Sequence, residues 1–244
     1  MLPHILGCYQ SVKRQKMGKS GTGRDFTQTI EWLVLRLPPD GILLFPLGQD
    51  RLPLPMQKST SSDNFLAHFL PEPLLYEEYL APAARVLSKL LAEAKDTPLD
   101  QGNLSEAERA LYTVILSALD STGHADPASA VRTVLETSVG MQAADNVQKA
   151  NINAFGIHLR KRKNFDSAIQ FYRKALELDP ADTRLLFNLA RAYFEKGDNA
   201  ACRSVLEQAI SLSPKFTEAQ KFLNYLDRQE TESPQEDSLP DITV

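Results

Sequence analysis

Cysteine and histidine are scarce in this chain. Its 244 residues include two cysteines, Cys8 and Cys202, and four histidines. The cysteines stand far apart in unrelated contexts, so no disulfide framework follows, and a reducing cytoplasm is the expected home. His4, His68, His124 and His158 share no ligand spacing and neither cysteine has a partner, so no metal and no cofactor is expected. Long apolar runs are missing as well. None approaches the roughly 18 residues of a membrane span, and no membrane partner is expected. The chain has one tryptophan, Trp32, which reads as a core anchor of its segment.

Excess charge is also small. A net charge of −4 argues against a general nucleic-acid binder, and 43% apolar with 24% charged residues is ordinary for a soluble globular protein. The charge is unevenly placed, however. Residues 1–24 carry Lys13, Arg14, Lys16, Lys19 and Arg24 with no acid. Residues 229–244 carry Glu230, Glu232, Glu236, Asp237 and Asp241 with no base. The first 27 residues read as a flexible basic arm and residues 229–244 as a disordered acidic tail. Ile5-Leu6-Gly7-Cys8 is similar to a bacterial lipoprotein cleavage box. Its apolar segment is too short and its basic residues follow rather than precede it, so a cytosolic start is expected unless the start codon is misassigned.

The stretch MGKSGTGRD, residues 17–25, has a phosphate loop's letters without its context. Lys13 stands where the first glycine of Gly-x-x-x-x-Gly-Lys-Ser should be, and the segment that follows reads as a strand rather than a helix. Phe26 occupies the last glycine of a dinucleotide fingerprint begun at Gly21 and Gly23. Thr22 takes the glycine that a serine-hydrolase elbow needs after Ser20. No catalytic set emerges elsewhere, so the chain is expected not to be an enzyme.

Residues 28–80 read as a β-hairpin and connector. Thr29–Leu37 and Ile42–Leu47 are branched, aromatic and apolar, and Pro38-Pro39-Asp40-Gly41 joins them as a turn. An isolated hairpin is marginal in water, so it needs a third strand, the helices or a partner. Ser62–Leu70 predicts a short helix ended by Pro71-Glu72-Pro73. Further helices are predicted over Ala83–Ala94, over Leu104–Leu119, and from Pro127 to Val139.

Residues 149–228 repeat themselves. Gly156 recurs as Ala190, Ala168 as Cys202, Ala175 as Ala209 and Pro180 as Pro214, each pair 34 residues apart. Small residues at helix crossings let two antiparallel helices approach. Ile152, Phe155, Leu159 and Tyr172, then Leu186, Leu189, Tyr193 and Leu206, fill the space between. Asn164 and Asp198 suit the N-caps of second helices, and Gly197 suits a left-handed helix end. Pro180 and Pro214 stop those helices. Thr217–Arg228 reads as a covering helix with Phe222, Leu223 and Leu226 on its apolar face.

This pattern resembles the tetratricopeptide repeat family, with one repeat over Lys149–Asp182 and a second over Thr183–Phe216. Ile152 and Leu186 replace a frequent tryptophan, and Lys163 replaces a glycine. The resemblance implies a mainly α fold: an antiparallel helix-pair solenoid, or superhelix, preceded here by a small β-hairpin segment. Gly102, Ala107, Leu111 and Val114 fit half a repeat in the same register. Residues 81–148 are therefore expected to be degenerate repeat-like helices stacked on the front of the clear ones. The whole layout is similar to a group of bacterial tetratricopeptide proteins in which Gly-Thr-Gly, a tryptophan-bearing strand pair and Phe-Leu-x-x-Phe-x-Pro-Glu-Pro precede the repeats. Here these are Gly21-Thr22-Gly23, Trp32 and Phe65–Pro73.

The resemblance also implies where a ligand would lie. First-helix positions line the concave groove, and they supply Asn153, Ile157, Arg160, Lys161, Arg184, Phe187, Asn188 and Arg191, with Lys221 and Tyr225 from the covering helix. This strip is basic and partly aromatic, suited to an extended and acidic protein segment. Asn188 matches one asparagine of the family's two-carboxylate chaperone clamp, but Asn153 and Ile157 replace the expected lysine and asparagine. The expected role is an adaptor or scaffold. The alternative is a regulatory or docking subunit of an enzyme or signalling system that uses the N-terminal segment. The acidic tail is a candidate competitor for the groove, and the oligomeric state is left open.

Overall fold

The computed structural model describes residues 2–17, 24–94, 99, 101–120, 127–139 and 147–231. The glycines of the MGKSGTGRD stretch and the acidic tail beyond residue 231 lie outside the described residues. The chain divides into two compact units, Met1–Asn151 and Ile152–Val244. Among the described residues no helix is long and apolar enough to cross a membrane.

The first unit is built on a sheet larger than the predicted hairpin. Its strands are β1 (His4–Met17), β2 (Arg24–Leu37), β3 (Gly41–Pro46), β4 (Lys58–Ser61) and β5 (Phe69–Pro71), in the order β4-β3-β2-β1-β5. All paired strands run antiparallel. The expected hairpin is β2–β3. The expected basic arm over 1–27 is corrected, because His4–Met17 is a strand paired with β2 along its whole length. Its apolar start explains this: Ile5, Leu6, Cys8 and Tyr9 are all buried, and a solvated arm would leave them in water.

One irregularity sets which residues face the helices. A register shift between Ile5 and Gly7 puts an extra residue in β1. Ile5 and Cys8, three apart, therefore share one face instead of alternating. Ile5 pairs with Leu35 and then Leu43, and Cys8 with Leu33 and then Phe45. These six residues join one apolar core with the helices. The other face carries Tyr9 and Trp32. There the Tyr9 ring meets Phe65 at 4.8 Å, Phe65 meets Phe69 at 5.3 Å, and the Trp32 indole N–H donates to Ser11 Oγ at 2.8 Å.

The helices of this unit are α1 (Ser62–His68), α2 (Pro73–Tyr79), α3 (Ala81–Ala94), α4 (Glu106–Asp120) and α5 (Pro127–Val139). Helix existence agrees with the sequence pattern; their role does not. Leu87 and Leu91 of α3, Leu111, Val114 and Ile115 of α4, and Val131, Val134 and Leu135 of α5 share their core with Leu33, Leu35 and Phe45 of the sheet. The degenerate repeat expected over 81–148 is thus corrected: α3, α4 and α5 pack on one another, α5 reaches β1, and their apolar residues join one core with the sheet. A helix stripe specifies burial but not which surface buries it.

The second unit contains antiparallel helix pairs. They are α6 (Val147–Lys161), inside which the division of the chain falls, α7 (Phe165–Leu178), α8 (Thr183–Lys196), α9 (Asn199–Leu212) and α10 (Thr217–Thr231). The small residues sit where helices approach. Ala168, Ala175, Ala190, Cys202 and Ala209 are completely buried, and a Cβ added at Gly156 would lie 2.6 Å from the Tyr172 ring. Burial pushes the Cys202 thiol up to about 12, so it is an inert packing atom at neutral pH.

The two inter-helix turns differ. Gly197 ends α8 in the left-handed region at φ 89°, and Asp198 caps α9 by accepting from Ala201 N–H at 3.0 Å. At the equivalent turn after α6, Lys163 takes φ 62° without glycine's freedom, and Asn164 makes no side-chain cap bond. The cap expected of Asn164 is therefore absent, while that of Asp198 is present.

Candidate functional site

The candidate surface lies on the first helices of successive pairs, α6 from Ile152 onward, α8 and the covering α10. Asn188 Nδ2 donates to Asn153 Oδ1 at 3.0 Å, joining α8 to α6. Near the other end of the same helices, the Arg160 guanidinium donates to the Glu195 carboxylate. Each bond spans 35 residues, one repeat plus one position, as neighbouring first helices require. Between α8 and α10, the Phe194 ring lies 5.3 Å from Phe222 and 5.9 Å from Tyr225. The three helices thus form one wall fastened by side chains.

The structure sorts the predicted strip into three groups. Lys161, Arg184 and Lys221 are exposed cations. Asn153, Ile157, Asn188, Arg191 and Tyr225 are half-buried, as a lined surface requires. Arg160 and Phe187 are corrected as contact residues. Phe187 is 1% exposed, held between Phe216 at 5.4 Å and Phe222 at 5.9 Å, so its ring is core. Position counting within a repeat cannot show that Phe216, at the end of the second repeat, and Phe222, beyond it, reach this ring.

Arg160 is buried, and Glu195 answers its charge. Arg191 lies beside this pair. Its proton affinity is lowered by burial first and by Arg160 next, and raised by Glu195. Tyr172, beneath them, has its hydroxyl pushed up by burial, against the neighbouring Arg160 and Arg191 charges. Arg160 and Arg191 both lie near the Glu195 carboxylate, under a rim of lysine and arginine. Sequence analysis did not pair Arg160 with Glu195; the 35-residue offset between them was the available signal.

A second ionic set fastens the outer helices. Lys196 reaches Asp166 at 2.6 Å, and Arg203 reaches Asp227 at 2.6 Å. Arg173 donates to the Tyr193 hydroxyl, with its guanidinium 5.7 Å from that ring's centre. These contacts hold α7 to α8 and α9 to α10, and leave the α6, α8 and α10 wall as the face with half-buried apolar and aromatic groups. Among the described residues no group of three or more His, Cys, Asp or Glu is placed to hold a metal.

The chain is similar to known proteins over part of its length. A stretch of 50 residues is 44% identical to the Hsp70-Hsp90 organizing protein of Triticum aestivum, covering 20% of this chain and 9% of that protein. The chain thus spans less than a tenth of that curated relative. Among solved structures, a MamA mutant is 18% identical with a TM-score of 0.31 over 62% of this chain and 77% of that one. MamA MSR-1 is 16% identical with a TM-score of 0.32 over 65% of this chain and 86% of that one. The family model that matches is described as the tetratricopeptide repeat, and it matches residues 159–233, from the last turn of α6 to the end of α10.

Proposed function

We propose that the chain is a non-enzymatic protein-interaction module, an adaptor or scaffold, whose α6, α8 and α10 wall receives an extended acidic segment of a partner protein. The observation that supports this most is the layout of that wall. The wall carries half-buried Ile157, Phe194 and Tyr225 together with exposed Lys161, Arg184 and Lys221. Apolar groups of the segment would pack on the rings while its carboxylates meet the cations. The Asn153–Asn188 bond leaves amide groups at the same level for the segment's backbone.

A chaperone terminus is not the segment this surface suits. The name of the Triticum aestivum relative points to Hsp70 and Hsp90 for that protein. In this chain Asn153 and Ile157 occupy the two places where the clamp needs lysine and asparagine, and Asn153 is already engaged with Asn188.

Binding of labelled acidic, neutral and basic ten-residue peptide pools to the full chain tests the reading. Acidic pools are expected to bind, and K161E/R184E/K221E to weaken them at least about tenfold with the melting temperature unchanged. These three residues are preferred to Arg191, whose reversal would disturb Arg160 and Glu195. Equal binding of the acidic pools by wild type and triple variant would refute it. The rival reading, docking through the N-terminal segment, is not tested by deleting residues 1–80, because that removes the strands that share a core with α3, α4 and α5.

A further inference from the structure

Among the described residues seven large apolar side chains are exposed, and three of them, Leu74, Tyr79 and Val86, lie on one helical run. α2 and α3 follow each other with Leu80 alone between them. Leu80 N–H donates to Tyr76 O and Ala84 N–H to Leu80 O, both at 2.9 Å, so helical bonding crosses the junction. Tyr79 is 38% and Val86 45% exposed, and Pro82 between them is exposed too. Spaced by three and four residues, they make one stripe on the helix surface, which half-buried Leu75 and Leu90 extend by a turn at each end. Charges run along one side of it. Glu78, Arg85 and Lys89 each precede a member of the stripe, Tyr79, Val86 and Leu90, and all three are exposed. Within the chain Arg85 stands 4.0 Å from Glu77 and Lys89 3.9 Å from Glu93, loose surface pairs of the kind that contribute little.

We propose that this stripe is where two copies of the chain meet, with their α2–α3 runs packed antiparallel about a two-fold axis. An exposed apolar stripe calls for a cover, and a two-fold contact needs a patch that complements itself. The order of residues along the run meets that need. An axis between Pro82 and Ala83 sets Tyr79 against Val86 of the partner subunit, and Leu75 against Leu90 of the partner subunit. Glu78 is then level with Leu87 of the partner subunit. That is two residues, or about 3 Å along the helix, from both Arg85 of the partner subunit and Lys89 of the partner subunit. The two-fold brings the charged flanks of both copies to the same side, so acid meets base twice. A parallel pairing would instead set acid on acid and base on base. The acid in the first half of the run and the two bases in the second thus choose a second copy, running the other way.

Sedimentation equilibrium of the full chain from about 1 to about 100 µM tests the proposal, a range suited to a small interface. Wild type is expected to reach twice the monomer mass. Glu78→Lys alone, and R85E/K89E alone, should each weaken self-association at least about tenfold, because like charges then face each other. Circular dichroism should be unchanged in both, since all three side chains are exposed. Mixing the two variants should restore the dimer, as each reversed flank then meets its opposite. The wall variant K161E/R184E/K221E should self-associate as wild type does, which separates this proposal from the peptide-binding one. A wild type that stays monomeric throughout, wild-type self-association by Glu78→Lys, or a mixture that stays monomeric would each overturn it.

Discussion

The two units bury the same kinds of side chain but close their cores over different sequence distances. In the repeat unit the fastening bonds join residues 35 apart, Asn153 to Asn188 and Arg160 to Glu195. In the N-terminal unit Gln10 reaches Glu72, 62 residues on, and Ser117 reaches Gln57, 60 residues back. The repeat unit is a row of neighbours whose interfaces add up one by one. The sheet unit is one core to which β1, β2, β3, α3, α4 and α5 all contribute, so no part of it is local. Damage should therefore spread in one and stay confined in the other.

The largest expected effect tests that contrast directly. Phe45→Ala and Phe171→Ala each remove a ring that is almost fully buried, at a cost of about 4 kcal/mol. Hydrogen exchange should rise across β1, β2, β3, α3 and α5 together for Phe45→Ala. For Phe171→Ala it should rise in α6, α7 and α8 and leave α10 less affected. Equal spread in both variants would erase the distinction.

Next in size is Glu195→Gln, which leaves Arg160 buried beside Arg191 without its carboxylate. A loss of about 3 kcal/mol is expected in urea melts, and adding Arg160→Met should return most of it. Gly156→Ala follows. Its new methyl would stand 2.6 Å from a Tyr172 ring that has no free space to retreat into, at a cost of about 2 kcal/mol by thermal unfolding. The smallest effect has the opposite sign. Lys163→Gly should stabilise by about 1 kcal/mol, because glycine takes φ 62° without the strain a side chain meets there. Gly197, at the same place in the next repeat, already has this advantage.

The repeat unit was legible because its determinants recur. Small residues 34 apart, a helix-ending glycine and two prolines announce helix pairs without any long-range information. The N-terminal unit offered no such internal copy. Thr29–Leu37 and Ile42–Leu47 read as a hairpin, but His4–Met17 read as an arm, and Phe69 and Leu70 as the end of a helix broken at Pro71. The partners that make them strands lie far along the chain. The register shift at Ile5 was also invisible, since its effect is defined only against Leu35. In the candidate site, Lys161, Arg184 and Lys221 are exposed. Phe187 and Arg160 were misjudged because Phe216, Phe222 and Glu195 cover them.

The sequence by itself determined the helix pairs, their turns and the small-residue crossings. Each depends on backbone preference and on side-chain size a few residues away. Only the tertiary structure decided that α3, α4 and α5 share one core with the sheet, that His4–Met17 is a strand paired with β2, and that Arg160 meets Glu195 within its own unit. Those outcomes rest on which apolar face or opposite charge arrives from far along the chain. An amphipathic stripe or a lone charge states that it needs a partner, but its own sequence does not name one.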